Sequence, residues 1–312
     1  MDPDRKFDVV GLGVSTLDLL LVVDELPGGE LVQRAHESVL QGGGPVATAL
    51  VALARLGSRT AMLDKVGDDW RGRLIIDEFR REDVATGWMR VAFGRTSSIA
   101  SILVRKGDGA RHIVFSPGDA GALHPDELPE DVIAAAKVLH LNGRHWDASR
   151  RAAQLARAHG VKVSFDGGAD RYRDDIPELL NLTDICIVAR QFARAFSGTD
   201  DQEVAARRLL DAGPECVVIT AGVEGSMLFA KGMEGFHQPA FNVGSPIDTT
   251  GAGDAYHGAF LHGIVTGLDL KGCAALAAAV AALNTRKLGG RSALPTLVQA
   301  EQFLARHAAQ GV

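Results

Sequence analysis

The stretch from Ile247 to Phe260 reads IDTTGAGDAYHGAF, and it contains a glycine turn followed by a buried helix. Gly251 and Gly253 flank Ala252, and Asp254 follows at once. The first N–H groups of a helix are unpaired and carry a partial positive charge, so small residues there let an anion approach the backbone. The stretch therefore predicts an anion site beside a carboxylate.

The chemistry that suits this arrangement is phosphoryl transfer. The amides would stabilise the charge that develops on a transferred group, and Asp254 would take a proton from an attacking hydroxyl. The helix N-terminus is expected to favour the ionised form of Asp254. The structural alternative is a glycine-rich turn in which Asp254 only caps the helix.

Composition limits the class of protein. The chain has 312 residues, 46% of them hydrophobic, and a formal net charge of −6, which argues against a nucleic-acid partner. The cysteines Cys186, Cys216 and Cys273 are odd in number and lie in apolar runs, which predicts buried free thiols. The N-terminus lacks an apolar leader, and no apolar run is long enough to span a membrane, so we expect a cytoplasmic protein.

The N-terminal segments predict a buried strand and a second polar site. The apolar run from Phe7 to Val14 contains Gly11 and Gly13, but Thr16 stands where a dinucleotide fingerprint needs its third glycine. Asp18 then lies almost alone among apolar neighbours, where a buried acid requires partners. Asp18 is therefore a candidate binding residue, with a simple turn cap as the alternative.

A glycine run precedes the first predicted helix. Gly42, Gly43 and Gly44 are followed by Pro45 and an apolar segment that ends at Gly57, which are clear start and stop signals for a helix. Glycines in this position let the backbone approach a ligand closely.

The remaining pattern predicts an α/β fold with a mostly parallel sheet. Residues 60–66 are expected to form a strand, and residues 88–116 alternate as a β-hairpin with one wet face. Strand and helix patterns alternate from residue 126 onward, including a helix over residues 148–159. Polar residues gather at the carboxyl ends of such strands, and each could bind a ligand or serve as a cap or loop charge: Asn142, Arg144 and Asp166.

The string DTTGAGD resembles the second signature of the ribokinase-like (PfkB) carbohydrate kinases, and the resemblance extends over essentially the whole chain. It implies one ribokinase-like domain over residues 1–312, with a three-layer α/β/α fold and a mostly parallel central sheet. It also implies a small β-sheet lid over the sugar, formed by residues of about 17–41 and 88–116. Such a lid often serves as the contact of a homodimer.

The resemblance implies a role for each matching residue. Asp254 would be the catalytic base, and the amides of Gly251, Ala252 and Gly253 would form the anion hole. The other implied residues bind sugar hydroxyls, nucleotide phosphates and a monovalent cation such as K⁺, respectively: Asp18, Gly43 and Gly44; Thr220, Gly222 and Gly225; Asp248 and Thr250. ATP and Mg²⁺ are the implied cofactors.

The chain departs from the family pattern at three positions. Thr48 stands where an asparagine usually contacts the sugar. Ala189 and Phe192 stand where an Asn-x-x-Glu motif usually lies near the magnesium and phosphates. The manner of holding Mg²⁺ is therefore left open, although the metal travels mainly with ATP and its waters.

The acceptor is the least specified part. Several phrases look similar to the bacterial sulfofructose kinases of this family, and Arg144 is a candidate contact for an anionic group. However, Val32 and Phe115 stand where that group has a lysine and an asparagine, which favours a ketohexose-like sugar. The main hypothesis is an ATP-dependent kinase of a primary sugar hydroxyl. The alternatives are a nucleoside kinase and a sugar-sensing protein that has lost turnover.

Overall fold

The structure is a computed structural model that describes residues 5–30, 32–169 and 171–309. The described strands are β1 Phe7–Leu12, β2 Thr16–Val23, β3 Glu37–Gly43, β4 Thr60–Leu63, β5 Lys65–Gly67, β6 Val84–Ala85, β7 Arg90–Ala92, β8 Ile99–Arg105, β9 Arg111–Ser116, β10 Ala136–Leu141, β11 Lys162–Gly167, β12 Ile185–Ala189, β13 Cys216–Thr220, β14 Ser226–Ala230 and β15 Phe236–Gln238. The described helices are α1 Pro45–Arg55, α2 Trp70–Arg81, α3 Glu130–Ala134, α4 Trp146–Ala158, α5 Ile176–Leu180, α6 Arg190–Ser197, α7 Gln202–Asp211, α8 Ala252–Thr266, α9 Leu270–Asn284 and α10 Leu297–Ala309.

A nine-stranded sheet runs through the centre of the molecule in the order β15-β14-β13-β12-β11-β10-β1-β4-β6. The strands from β13 to β6 in this order pair in parallel, and β14 and β15 add an antiparallel edge. Six residues of β1 are buried, as expected for a strand with parallel neighbours and helices on both faces. The expected mostly parallel central sheet is confirmed.

Helices cover both faces of this sheet. On one face, α1, α2, α8, α9 and α10 pack against inward residues such as Val9 and Val138. On the other face, α3 to α7 pack against the alternate residues, such as Val10 and Leu139. Successive side chains of a strand point to opposite faces, so each strand contributes to both cores. The result is the expected three-layer α/β/α arrangement.

A second, smaller sheet is built from the two segments that the resemblance assigned to a lid. Its order is β3-β2-β8-β9, in which β2 and β8 are parallel and the outer pairs are antiparallel. One face buries Leu20, Ala100, Ile102 and Val104. The edge strand β9 is exposed along its whole length.

Two predicted elements differ from the structure in their bounds. The strand expected over residues 60–66 is divided into β4 and β5 at Asp64, whose carboxylate accepts the N–H groups of Ser15 and Lys65, both at 2.6 Å. The helix expected over residues 148–159 begins at Trp146, because His145 before it takes a left-handed conformation, with φ of 51°.

None of the described helices combines the length and the apolar character that a membrane crossing requires.

Candidate functional site

The anion site forms at the N-terminus of α8. Gly251 caps the helix in the left-handed conformation, with φ of 71°, and a Cβ atom there would lie 2.7 Å from the carbonyl oxygen of Gly290. The amide of Ala252 donates to the carbonyl of Thr249 at 3.3 Å. Within the described residues, the amides of Gly251 and Gly253 have no such acceptor. Two of the three predicted amides are therefore free to bind an anion, and the amide of Ala252 already donates a long hydrogen bond to Thr249.

Asp254 lies in the first turn of α8 and is partly buried. Burial, together with the charge of Asp166, raises the pKa of Asp254 from 3.8 to about 6. The arginines Arg171, Arg291 and Arg111 act in the opposite direction but do not cancel this effect. Desolvation and the second carboxylate thus raise the pKa above the ordinary value of an aspartate, although a pKa of about 6 still leaves Asp254 mainly ionised near neutral pH.

A buried ion pair lies beside Asp254. The Nη1 atom of Arg171 is 2.8 Å from Oδ2 of Asp166, at the end of β11, and the Nε2 atom of His257 is 3.6 Å from Oδ1. Burial would raise the pKa of Asp166, but Arg171, His257 and His140 together outweigh burial and lower it. Asp166 therefore acts as a fixed negative charge near the candidate base.

The small sheet brings Asp18 to the same end of the molecule. Asp18 lies on β2, is 8% exposed, and accepts a hydrogen bond from Thr16 Oγ1 at 2.5 Å. A Cβ atom on Gly43 would lie 1.9 Å from Asp18 Oδ2, so no larger residue fits without moving the carboxylate. Gly44 caps α1 with φ of 94°, and a Cβ atom there would meet Val14 O at 2.2 Å.

Arg144 lies at the rim of this region, directly after β10. Its side chain is exposed, while its amide donates to Asn142 Oδ1 at 3.2 Å. Partial desolvation, and then the neighbouring charge of Arg171, lower the pKa of Arg144. The fold therefore places two arginines, from the ends of β10 and β11, within electrostatic reach of each other.

The predicted nucleotide residues and the anion site line one groove. Its volume is about 630 Å³, and its wall includes Thr220, Gly222, Gly225, Ala252 and Gly253. Thr220 ends β13, and a single 3₁₀ turn over Gly222–Glu224 leads to Gly225, where a Cβ atom would lie 2.1 Å from Gln238 O. The tight turn thus requires glycine.

Apolar residues and one arginine form another part of the groove wall. They are Val223, Ala240, Phe241, Ala278, Ala281 and Arg111. Arg111 comes from β9 of the small sheet and donates to Thr249 Oγ1. A cation from the small sheet therefore reaches the groove beside the anion site.

The candidate cation residues are deeply placed. Asp248 is fully buried, and its two carboxylate oxygens accept the amides of Thr250 at 2.8 Å and Gly289 at 2.9 Å. Thr250 Oγ1 and Asn284 Oδ1 are buried and have no partner within the described part of the chain. Unpaired oxygens of this kind fit a bound cation such as K⁺.

The positions that lack the Asn-x-x-Glu motif have structural roles. Ala189 ends β12, and Phe192 is 1% exposed and packs against the rings of Phe165 and Tyr172, with centroids 5.6 and 6.0 Å away. Among the described residues, no three His, Cys, Asp or Glu side chains converge as metal ligands. In this chain, a buried aromatic side chain therefore occupies the position where the family usually has a glutamate.

Four site residues were not identified from the sequence. They are Arg111, Arg171, Arg291 and Glu78, which pairs with Arg291 at 3.0 Å. The sequence offered weak signals for two of them, because Arg171 follows the buried strand that ends in Asp166, and Arg291 follows Gly289 and Gly290. Arg111 and Arg291 contact residues that are distant along the chain, whereas Arg171 pairs with Asp166, five residues before it.

Known proteins resemble this chain over most of its length. A sugar kinase of Archaeoglobus fulgidus, described as uncharacterized, is 32% identical over 255 residues, which cover 80% of this chain and 100% of the relative. The 5-dehydro-2-deoxygluconokinase of Bacillus licheniformis is 29% identical over 322 residues, which cover 97% of each chain.

Solved structures of known kinases have a similar fold over nearly the whole chain. The ribokinase of Arabidopsis thaliana, complexed with ribose and ATP, gives a TM-score of 0.83 at 23% identity and covers 96% of this chain and 98% of its own. The adenosine kinase of Sinorhizobium meliloti gives 0.84 at 28% identity and covers 97% and 99%. The family model described as pfkB family carbohydrate kinase matches residues 6–297. The chain therefore belongs to the pfkB family of carbohydrate kinases, which are phosphotransferases with an alcohol group as acceptor.

Proposed function

We propose that this kinase transfers the γ-phosphate of ATP to a primary hydroxyl of a ketohexose-like sugar. The observation that carries the proposal is the position of Asp254 on the first turn of α8, directly after the groove-lining residues Ala252 and Gly253, with the charge of Arg291 acting on both Asp254 and Asp18. A base in this position can reach an acceptor on one side and a phosphoryl group on the other. That arrangement suits direct transfer between two bound substrates.

Asp254 removes the proton of the attacking hydroxyl in this proposal. Its pKa of about 6 leaves it mainly ionised near neutral pH, yet basic enough to accept a proton in the transition state. The amides of Gly251 and Gly253 stabilise the charge on the transferred group. The amide of Ala252 joins them when its bond to Thr249 opens.

ATP occupies the groove in this proposal. Thr220, Gly222 and Gly225 hold its phosphates, and the small apolar side chains of the opposite wall contact its base. Mg²⁺ supplies charge neutralisation on the phosphates, and it is assigned no protein ligand because the described residues offer no carboxylate cluster for it. Asp248 and Thr250, with Asn284, are assigned to a monovalent cation such as K⁺.

Asp18, Gly43 and Gly44 hold the acceptor. The carboxylate of Asp18 is buried and can accept sugar hydroxyls beyond its bond to Thr16, and the glycines let the sugar lie against the backbone. The small sheet covers this region and excludes water that would hydrolyse ATP. We propose that it acts as the lid.

A second acceptor class is a sugar acid. Arg144 is exposed at the rim of the acceptor region, and no acceptor atom of the described residues pairs with its guanidinium. The name of the relative from Bacillus licheniformis describes a kinase of a gluconate derivative. An acidic group on the acceptor would pair with Arg144.

A nucleoside kinase and a sugar sensor are less well supported. The acceptor region contains few aromatic side chains on which a base could stack, although one structural neighbour is named an adenosine kinase. A sensor has no need of a base beside free helix amides. Release of ADP that depends on the acceptor separates these alternatives.

The lid is also proposed as the contact of a homodimer. Its edge strand β9 exposes Ile113, Val114 and Phe115, and the opposite edge strand β3 exposes Leu40, with exposed fractions between 45% and 61%. Apolar side chains on an unpaired edge strand favour pairing with another chain. A second copy of the chain would bury both edges at once.

Release of ADP tests the proposal. Purified protein with Mg·ATP is given D-fructose, 5-dehydro-2-deoxygluconate, other sugars and nucleosides in turn. One strong acceptor is expected among the sugars. Asp254→Asn should lower kcat by about 10²- to 10⁴-fold while ATP still binds. The exposed Asp211→Asn change serves as the matched control. Near-normal turnover of Asp254→Asn would overturn the assignment of the base.

A further inference from the structure

A buried arginine joins the acceptor region to the rest of the molecule. Arg291 lies between α9 and α10 and is only 3% exposed. Its Nε atom donates to Thr48 Oγ1 at 3.1 Å, and its Nη2 atom donates to the carbonyl of Gly43 at 2.9 Å. Its Nη1 atom pairs with Glu78 Oε1 at 3.0 Å. The guanidinium thus contacts three separate segments in a fixed fork.

These contacts hold the glycine run from two sides. The second oxygen of Glu78 accepts the amide of Gly42, so Glu78 and Arg291 together bind one peptide donor and one peptide acceptor of adjacent residues. A Cβ atom on Gly42 would lie 2.4 Å from Arg291 Nη1. The position of Gly43, and with it the space beside Asp18, therefore depends on this pair.

Thr48 has a different role from the sugar contact expected at its position. It is 2% exposed, and its hydroxyl accepts the bond from Arg291. The hydroxyl of Thr48 therefore points toward Arg291 and binds it. The departure from the family pattern at Thr48 is thus matched by a partner 243 residues further along the chain.

The charge of Arg291 acts on both carboxylates of the proposed site. Burial raises the pKa of Asp18, and the charge of Arg291 opposes this. Arg291 is also among the cations that oppose the raised pKa of Asp254. The other groups that act on Asp254 are Asp166 and Arg171 from β11 and the segment after it, and Arg111 from β9. Among these cations, Arg291 acts on both Asp18 and Asp254.

The segment that carries Arg291 is tied to the anion site. Gly289 donates its amide to Asp248, and the carbonyl of Gly290 accepts from Asn284 Nδ2 at 2.9 Å. Gly290 also packs directly against Gly251, the cap of α8. A movement of this segment would therefore displace the glycine run and the anion site together.

We propose that Arg291 is a positioning residue that aligns the acceptor with the catalytic base. It acts through its bonds to Gly43 and Thr48 and through its charge near Asp18 and Asp254. This inference rests on the proposed function of Asp18 and Asp254. It adds a link, from the segment after α9, that lies outside both the glycine run Gly42–Gly44 and the string DTTGAGD.

The test compares Arg291→Met and Arg291→Lys with the wild type. The acceptor probe is D-fructose or 5-dehydro-2-deoxygluconate, whichever gives the higher ADP release. Arg291→Met should raise the acceptor KM by about tenfold or more, because the fork to Gly43 is lost. The KM for ATP should change less than about twofold, because Arg291 does not line the groove.

The pH profile of kcat supplies a readout that a purely structural role would not move. Loss of the positive charge raises the pKa of Asp254. The acid limb of the profile, where kcat falls as the pH decreases, should therefore lie at higher pH in Arg291→Met than in the wild type. Arg291→Lys keeps the charge and should restore the acid limb, but it should retain a raised acceptor KM. Burial lowers the pKa of His257, one turn along α8, so this imidazole is protonated less readily than a free one.

Arg55→Met is the matched control. Arg55 is a partly buried arginine, paired with Glu82 at 2.7 Å and bonded to Leu294 O at 2.9 Å, but it is not among the charges that act on Asp18 or Asp254. It should lower the melting temperature without changing the acceptor KM or the pH profile. If Arg291→Met does not fold, Arg291→Lys and Thr48→Val decide the question, since Thr48→Val removes only one acceptor and should raise the acceptor KM by a few fold.

Two outcomes would overturn the inference. They are an unchanged acceptor KM in the folded Arg291 variants, and an acid limb that does not move in Arg291→Met. Either result in an active wild type would leave the proposed function standing. Failure of the proposed function would look different, as a wild type that releases no ADP with any acceptor, or an Asp254→Asn variant with normal turnover.

Discussion

The guanidinium of Arg171 lies 2.8 Å from the carboxylate of Asp166, and both charges act on Asp254 in opposite directions. The negative charge of Asp166 raises the pKa of Asp254, and the positive charge of Arg171 lowers it. The pKa of the proposed base is therefore set by burial and by the balance of an ion pair that does not itself need to touch the substrate.

Asp166→Asn should move the acid limb of the pH profile to lower pH. The change removes the charge that raises the pKa of Asp254, and it leaves Arg171 free to act on Asp254 alone. Wild-type kcat should fall below about pH 6, where Asp254 becomes protonated. The measurement is kcat from pH 5 to 8. Asp175→Asn, which removes an outer carboxylate paired with Arg173, should leave the profile unchanged.

Asp166→Asn should also lower stability by about 1–3 kcal/mol, because the mostly buried Arg171 loses its partner. Urea unfolding at pH 7 measures this loss. A shift of the acid limb to higher pH would contradict the assigned sign of the Asp166 effect.

Gly43→Ala should weaken acceptor binding. The new Cβ atom would lie 1.9 Å from Asp18 Oδ2, so the carboxylate must move from its bond with Thr16. We expect the acceptor KM to rise by about tenfold or more and the KM for ATP to stay nearly constant. Gly87→Ala is the control, because a Cβ atom there meets nothing within 4 Å. Equal effects on both KM values would argue against a role confined to the acceptor.

Asp8→Asn should reduce stability in a pH-dependent manner. Burial would raise the pKa of Asp8, but hydrogen bonds from Arg59 and Lys137 outweigh it and lower the pKa from 3.8 to about 2. The ionised form thus stabilises the fold above about pH 4, and this contribution is lost as the pH falls through about 2. We expect Asp8→Asn to cost about 1–2 kcal/mol at pH 7.

Unfolding by urea at pH 7 and at successively lower pH measures the Asp8 contribution. The difference between wild type and Asp8→Asn should shrink as the pH falls below 4. Asp108→Asn is a useful comparison, because the pKa of Asp108 is also lowered to about 2 but its pair with Arg105 is exposed and solvent-screened. A difference that stays constant with pH would count against the ion-pair explanation.

Val114→Asp should convert the proposed dimer to a monomer. Val114 is 61% exposed on the edge strand β9, where a new charge would have to be buried between two chains. Sedimentation of the wild type should give twice the chain mass of 33.0 kDa, and the variant should give the single mass. Val298→Asp, at a position 59% exposed on α10, should remain dimeric. A monomeric wild type would reject the lid contact.

Local sequence patterns determined the fold class and the centre of the site. The glycines before α8 are required by a left-handed cap, Pro45 begins α1, and buried apolar runs alternate with helical ones, all of which are properties of neighbouring residues. For this reason the order of residues alone identifies Asp254 and Gly251 as candidates, whereas the roles of Gly43 and of the turn from Thr220 to Gly225 come from the resemblance to the family.

Only the tertiary structure decided how these candidates are linked and how they titrate. Arg291 meets Thr48 across 243 residues, and Arg111 meets Thr249 across 138, because strands and loops distant in the chain converge at the carboxyl edge of the sheet. The pKa of Asp254 depends on burial and on charges from other elements, and local sequence does not encode these quantities. Desolvation and Coulomb interactions act through space, whereas sequence motifs record only order along the chain.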